Sequence, residues 1–220
     1  MGKLYAGING PFSGKVGAVV GYLYKGIPVM RGLPKRTKPS TPNELNQQAR
    51  FRLMNNFLTN LNDLLNITFA HLAVRMTGRN KAFSYNLKNA ITGLRPDLAI
   101  DYGMVLLSRG DLPAAESPSV TSPSSGVLEF SWTDNSGKGK ALKADKVFVA
   151  LYHPETGFWY AQMDLATRAD GKCNLEMPKT GFEGKSVHAY LGFMAANGKD
   201  ASNSVYLGIV EVQPNLTVNA

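Results

Sequence analysis

A chain of 220 residues with 44% hydrophobic and 18% charged residues has the composition of a folded protein, large enough for one sizeable domain or two small ones. No apolar run approaches the length of a membrane span, and the segment Met1 to Gly7 lacks the apolar stretch of a secretory signal. The formal net charge is +8, and all of it lies in residues 1–52, where Lys3, Lys15, Lys25, Arg31, Lys35, Arg36, Lys38, Arg50 and Arg52 face the single acid Glu44. Cys173 is the one cysteine, so no internal disulfide is expected. That suits a reducing cytoplasm, and the side chain is expected to serve as a small buried hydrophobe.

In chain order, residues 1–15 are glycine-rich and predict an irregular arm. Residues 16–31 predict a β-hairpin turning at Lys25-Gly26. Its first strand places Val16, Ala18, Val20 and Tyr22 on one face and Gly17, Val19, Gly21 and Leu23 on the other. Gly17 and Gly21 leave that second face nearly bare, which suits close approach of another backbone. Pro28 cannot donate a ladder hydrogen bond, so the return strand belongs at an edge. Gly17, Gly21 and Pro28 are therefore the candidate assembly residues.

Residues 33–40 predict an extended basic segment. A helix then begins with Thr41 as cap, Pro42 in the first turn and Glu44 completing a capping box. Its apolar stripes run through Leu45, Ala49, Leu53 and Phe57, and through Met54, Leu58, Leu61 and Leu65. A second helix is expected near 80–92, capped by Asn80 and ended by Gly93. Residues 102–107 suggest a strand.

Prolines 113, 118 and 123 among serines and alanines predict a linker over 113–126. From 127 onward short strands alternate with turns. Leu128, Phe130 and Trp132 alternate with polar residues, Val147 to Tyr152 is a continuous apolar run, and three further strands end near Val212. With a short strand near Val120, about seven strands are expected, with Trp132 buried on an early one. The expected fold class is α+β. A basic hairpin-and-helix domain over 1–112 precedes the linker, and an immunoglobulin/fibronectin-like antiparallel β-sandwich occupies 127–220.

The chain shows little chemistry. His71, His153 and His188 are far apart, with no metal-ligand spacing around them and no zincin or paired-cysteine motif. Gly10 to Lys15 falls one residue short of a phosphate-binding loop, and Val16 stands where Ser or Thr is required. No nucleophile elbow occurs. No catalytic residue, metal ligand or cofactor is expected, and the chain is not expected to be an enzyme. Phe158-Trp159-Tyr160 offers either a stacking platform or, preferably, a strand shared between core and interface. Lys35, Arg36, Lys38, Arg50 and Arg52 are the candidate contacts to nucleic acid or another acidic partner.

The run Phe12 to Pro34, F-S-G-K-V-G-A-V-V-G-Y-L-Y-K-G-I-P-V-M-R-G-L-P, is followed by T-P-N-E-L-N-Q-Q-A-R-F from Thr41 to Phe51. Together with the ending S-N-S-V-Y-L-G-I-V-E-V, these segments resemble a Bacteroidota family of unknown function. The first fifty residues also resemble proteins encoded by phages and mobile elements, with Tyr24 in place of a usual Trp. These resemblances imply a bacterial or phage context and particle assembly. With the glycine-rich arm, the extended basic segment and the edge-capable hairpin, the expectation is a non-enzymatic structural or assembly protein of a phage-like particle or other bacterial assembly, self-associating or bound to other subunits. Such a protein would be cytoplasmic or particle-associated, with no membrane partner. The rival readings are a nucleic-acid-binding protein and a carbohydrate- or protein-binding sandwich.

Overall fold

The computed structural model describes residues 3–4, 10–33, 35, 38–177, 182 and 184–214. The contacts divide the chain into two units, Met1–Pro42 and Asn43–Ala220. The first holds an antiparallel sheet in the order β1-β2-β3-β4, from β1 (Lys3–Leu4), β2 (Phe12–Val16), β3 (Val19–Tyr24) and β4 (Ile27–Gly32). Residues expected to form an irregular arm thus supply two strands. The expected long first strand is also broken, because Gly17, at φ 55°, turns the chain between Val16 and Val19, which pair across it. Lys25 and Gly26 both take positive φ, 50° and 81°, the requirement of a two-residue turn that matches strand twist.

The second unit carries an immunoglobulin/fibronectin-like sandwich of seven strands. They are β7 (Glu116–Ser124), β8 (Val127–Thr133), β9 (Lys146–His153), β10 (Phe158–Thr167), β11 (Lys172–Glu176), β12 (Ser186–Met194) and β13 (Val205–Glu211). One sheet runs β11-β8-β7 and the other β10-β9-β12-β13, antiparallel throughout. The expected linker is mostly strand, since Pro118 and Pro123 fall on β7 at a sheet edge, where a missing N–H costs no ladder bond. Leu128, Phe130 and Trp132 of β8 point inward with Cys173 and Leu175 of β11. They meet Val147, Val149 and Leu151 of β9 and Val187, Ala189, Leu191 and Phe193 of β12.

A second core lies on the outer face of the four-stranded sheet. Phe148, Ala150 and Tyr152 alternate with the inward residues of β9, and with Trp159 and Tyr190 they pack against Met54, Phe57, Leu58, Leu61, Leu65 and Phe69. The continuous apolar run 147–152 is thereby explained, because the strand is buried on both faces. The covering layer comprises α1 (Pro42–Phe57), α2 (Asn62–Thr68) and α3 (Gly78–Asn89), with a short β5 (Ile91–Thr92) and β6 (Ala99–Ile100) pair. Its shared core is why the unit boundary falls at Pro42/Asn43 and not at the expected 112/113. The α3 cap is Thr77, whose hydroxyl accepts from the Asn80 amide, so the cap lies three residues before the expected Asn80. Residues 102–104 form a 3₁₀ turn, and no strand occurs over 102–107.

One polar cluster ties the sandwich together. Arg168 and Asp145 are both fully buried, joined by a 3.0 Å bond from Nε to Oδ2. The guanidinium also donates to Asn135 Oδ1 and, at 3.1 Å, to the Pro113 carbonyl. It lies 3.8 Å over the Phe193 ring, while the Arg168 carbonyl accepts from Trp132 Nε1 at 2.8 Å.

Candidate functional site

The ladder of the N-terminal sheet sorts its residues into two unlike faces. Val16, Val19, Gly21, Leu23, Pro28, Met30 and Gly32 share one face by direct pairing, and none is charged. Lys15, Val20, Tyr22, Tyr24, Ile27, Val29 and Arg31 share the other. On that second face the Arg31 guanidinium lies 5.5 Å from the Tyr22 ring, and at its end the Lys25 ammonium lies 5.7 Å from the Tyr24 ring. The charge-free face leaves Leu23 65% and Met30 61% exposed. Among described residues 10–41, Gly21 alone is buried.

Gly21 is buried by its own sheet. A Cβ there would stand 2.2 Å from the Phe12 carbonyl oxygen and 2.8 Å from the Phe12 ring. The bare strand surface expected at Gly21 is thus already filled by Phe12, and Gly17 lies in the turn before β3, off the strand face on which it was expected. Pro28 stands on β4 at the sheet edge, as its missing N–H requires. Beside it a groove of about 220 Å³ is lined by Pro11, Phe12, Gly21, Pro28 and Met30. That is below the roughly 300 Å³ at which small-molecule sites begin, and it is scaled to an apolar side chain.

The expected basic residues fall in both units, Lys35 and Lys38 in the first and Arg50 and Arg52 in the second. Lys35 and Lys38 are exposed, and Arg36 lies outside the described residues. Arg50 is half-buried and donates to the Leu87 carbonyl at 3.2 Å, while Arg52 is exposed. Two residues apart on α1, they point to different sides of the helix.

The histidines sit in three unrelated settings. His71 Nε2 is 3.8 Å from Asp200, and buried His153 accepts from the Thr156 amide through Nδ1. His188 stacks on Tyr102 at 3.7 Å with Nδ1 2.7 Å from the Tyr206 hydroxyl, and burial holds its pKa below the usual value. Desolvation pushes the Cys173 thiol up to about 11, which makes it an inert core residue. Among the described residues no group of three or more His, Cys, Asp or Glu is placed to hold a metal, and no helix is long and apolar enough to cross a membrane. Trp159 is buried and donates to the Phe57 carbonyl, so Phe158-Trp159-Tyr160 is no stacking platform.

Residues 11–208 match a family described as of unknown function, DUF6266. The chain belongs to that family. No curated protein matches it. Among solved structures, the fn3 domain of the human collagen alpha-1(XX) chain is similar at 12% identity and TM-score 0.36, over 49% of this chain and 92% of that one. The chicken CNTN1 FN1-FN3 domains are similar at 10% identity and TM-score 0.36, over 47% of this chain and 33% of that one. A family 76 glycoside hydrolase from a bovine Bacteroides thetaiotaomicron strain is similar at 13% identity and TM-score 0.36, over 46% and 21% of the two chains.

Proposed function

We propose that this protein is a non-enzymatic structural subunit that self-associates through the charge-free face of its N-terminal sheet. The supporting observation is a four-stranded sheet in which, among described residues 10–41, only Gly21 is buried. A sheet is stable when one face is buried against a second layer, and a monomeric protein seldom exposes a contiguous apolar patch of this kind. A second copy is the occupant because the face is self-complementary. Its bulky Leu23 and Met30 lie beside bare Gly32 and the groove at Phe12. A two-fold pairing sets each against the other, with the basic face left in water. The likeness of the first fifty residues to phage-encoded proteins favours a particle or other bacterial assembly as the setting.

The test is light scattering after size-exclusion chromatography. Wild-type protein should run as an oligomer, and Leu23→Glu with Met30→Glu should run as a monomer whose near-ultraviolet circular dichroism is unchanged. A wild-type chain that stays monomeric across a wide concentration range overturns the reading. A second reading, nucleic-acid binding, draws on the other face of the sheet, where Lys15 and Arg31 stand among Tyr22 and Tyr24, with Lys25 at the adjoining turn. That pairing of cations with rings is the chemistry of single-strand binding, and charge reversal at Lys15 and Arg31 should abolish it without dissociating the oligomer.

A further inference from the structure

The strongest unassigned feature lies in the second unit, on the solvent side of α3. Lys81, Ser84, Tyr85, Lys88, Asn89 and Arg109 line a groove of about 350 Å³, within the roughly 300–1,000 Å³ of ligand sites. Lys81 and Lys88 are seven residues apart, so two helical turns place them on one face about 10 Å apart. Ser84 and Tyr85 fall between them on that face. No carboxylate lines the groove, and Lys81, Lys88 and Arg109 form none of the ion pairs found among the described residues. Asp111, two residues after Arg109, is held 3.3 Å from the Lys140 ammonium.

The groove is also held rigidly. Asn86, on the buried side of α3, donates to the Leu106 carbonyl and accepts from the Leu106 amide, both at 2.9 Å. Thr68 donates to the Leu107 carbonyl at 2.7 Å, the Leu107 amide donates to Ser204 at 2.9 Å, and Ser108 donates to the Ser202 carbonyl at 2.7 Å. Arg109 therefore leaves a segment hydrogen-bonded at three consecutive residues, Leu106, Leu107 and Ser108, and its guanidinium rests 4.9 Å from the Tyr85 ring. A planar cation braced on a ring is prepared for two-pronged contact with an oxyanion, and the two ammonium groups add point charges.

We propose that this groove binds phosphate groups, with Arg109 as the oriented donor and Lys81 and Lys88 as flanking cations. A single monoanion would leave most of that charge unmatched, so the ligand carries at least two phosphates. The inference is independent of self-association through the N-terminal sheet. It is also independent of the basic segment before α1, because neither Lys35 nor Lys38 is among the residues that line the groove.

Two probes distinguish the sources of that chemistry, inorganic pyrophosphate by calorimetry and a short single-stranded oligonucleotide by fluorescence anisotropy, both at low salt. Three phosphate contacts on a single strand give a log–log salt slope of about −2. The double variant Lys81→Glu/Lys88→Glu should weaken binding at least about tenfold and flatten that slope by about 1.4. Arg109→Gln should weaken it as well, while Lys35→Glu/Lys38→Glu should not. Binding of pyrophosphate alone assigns a small phosphorylated ligand, and binding of the oligonucleotide assigns a nucleic-acid strand. Failure of both probes to bind, or equal binding by the wild type and the Lys81/Lys88 variant, overturns the proposal.

Discussion

Replacing Arg168 with Met tests whether a buried ion pair holds the sandwich together. The methionine keeps apolar contact with the Phe193 ring but removes every hydrogen bond of the guanidinium. Asp145, fully buried, then keeps one donor, the Leu142 amide at 2.9 Å. Its Oδ1 already lacks a partner, and Asn135 Oδ1 and the Pro113 carbonyl lose theirs. Breaking a buried pair from one side costs about 3–5 kcal/mol, because the remaining charge has no counter-charge and little solvent. Asp145→Asn should cost about 3 kcal/mol for the same reason, from the other side. The double variant buries no charge, so its loss should fall short of the sum of the two by about 2 kcal/mol. Urea midpoints followed through tryptophan fluorescence read the cycle, since Trp132 donates to the Arg168 carbonyl. The Lys146–Asp164 pair serves as the control. It is shorter, at 2.7 Å, yet its side chains are 41% and 50% exposed, and its cycle should return only about 0–1 kcal/mol. Additivity of the Arg168 and Asp145 losses to within about 0.5 kcal/mol would refute the assignment of a buried, coupled pair.

His188 should make stability fall in mild acid. Its folded pKa is lowered by burial, so the unfolded chain binds the proton more tightly, near its ordinary pKa of about 6.5. The stabilisation is complete above that pH and is lost as pH falls below it; melting curves of wild type and His188→Gln should diverge between neutral pH and about 5, and parallel curves would remove the effect. Asn86→Leu should orphan both polar groups of Leu106, at about 1–3 kcal/mol each. It should lower the melting temperature by several degrees, at about 2–4 °C per kcal/mol for a chain of this size. An unchanged melt would show that water replaces the amide.

The sandwich was legible because its signals are local. Strand alternation in Leu128-Glu129-Phe130-Ser131-Trp132 and the turn at His153 to Gly157 mark elements that the structure contains. The helical layer was legible as helices, but its attachment was not. Phe57, Tyr102, Tyr152, Trp159 and Tyr190 meet from distant parts of the chain, and no periodicity in one segment announces the other. The apolar run 147–152 carried the missing information, since a strand apolar at every position must be covered on both faces. Tertiary cover also turned Pro118 and Pro123 from linker residues into edge-strand residues.

The N-terminal sheet was misread through a single turn. Counting alternation straight through Gly17 puts Val16 with Val20 and Tyr22, mixing apolar and aromatic residues on one side. The turn at Gly17-Ala18 instead pairs Val16 with Val19 and Lys15 with Val20. Only with that register do the charges collect on one face and leave the other without any. Summed charge along the chain hides the same kind of separation elsewhere. Residues 53–220 balance fifteen bases against fifteen acids, yet Lys81, Lys88 and Arg109 gather where no acid lines the wall. A face or a groove, not a stretch of sequence, is the unit over which charge decides what this protein can bind. On that measure the sheet offers a face without charge, and α3 offers a groove lined by cations with no acid beside them.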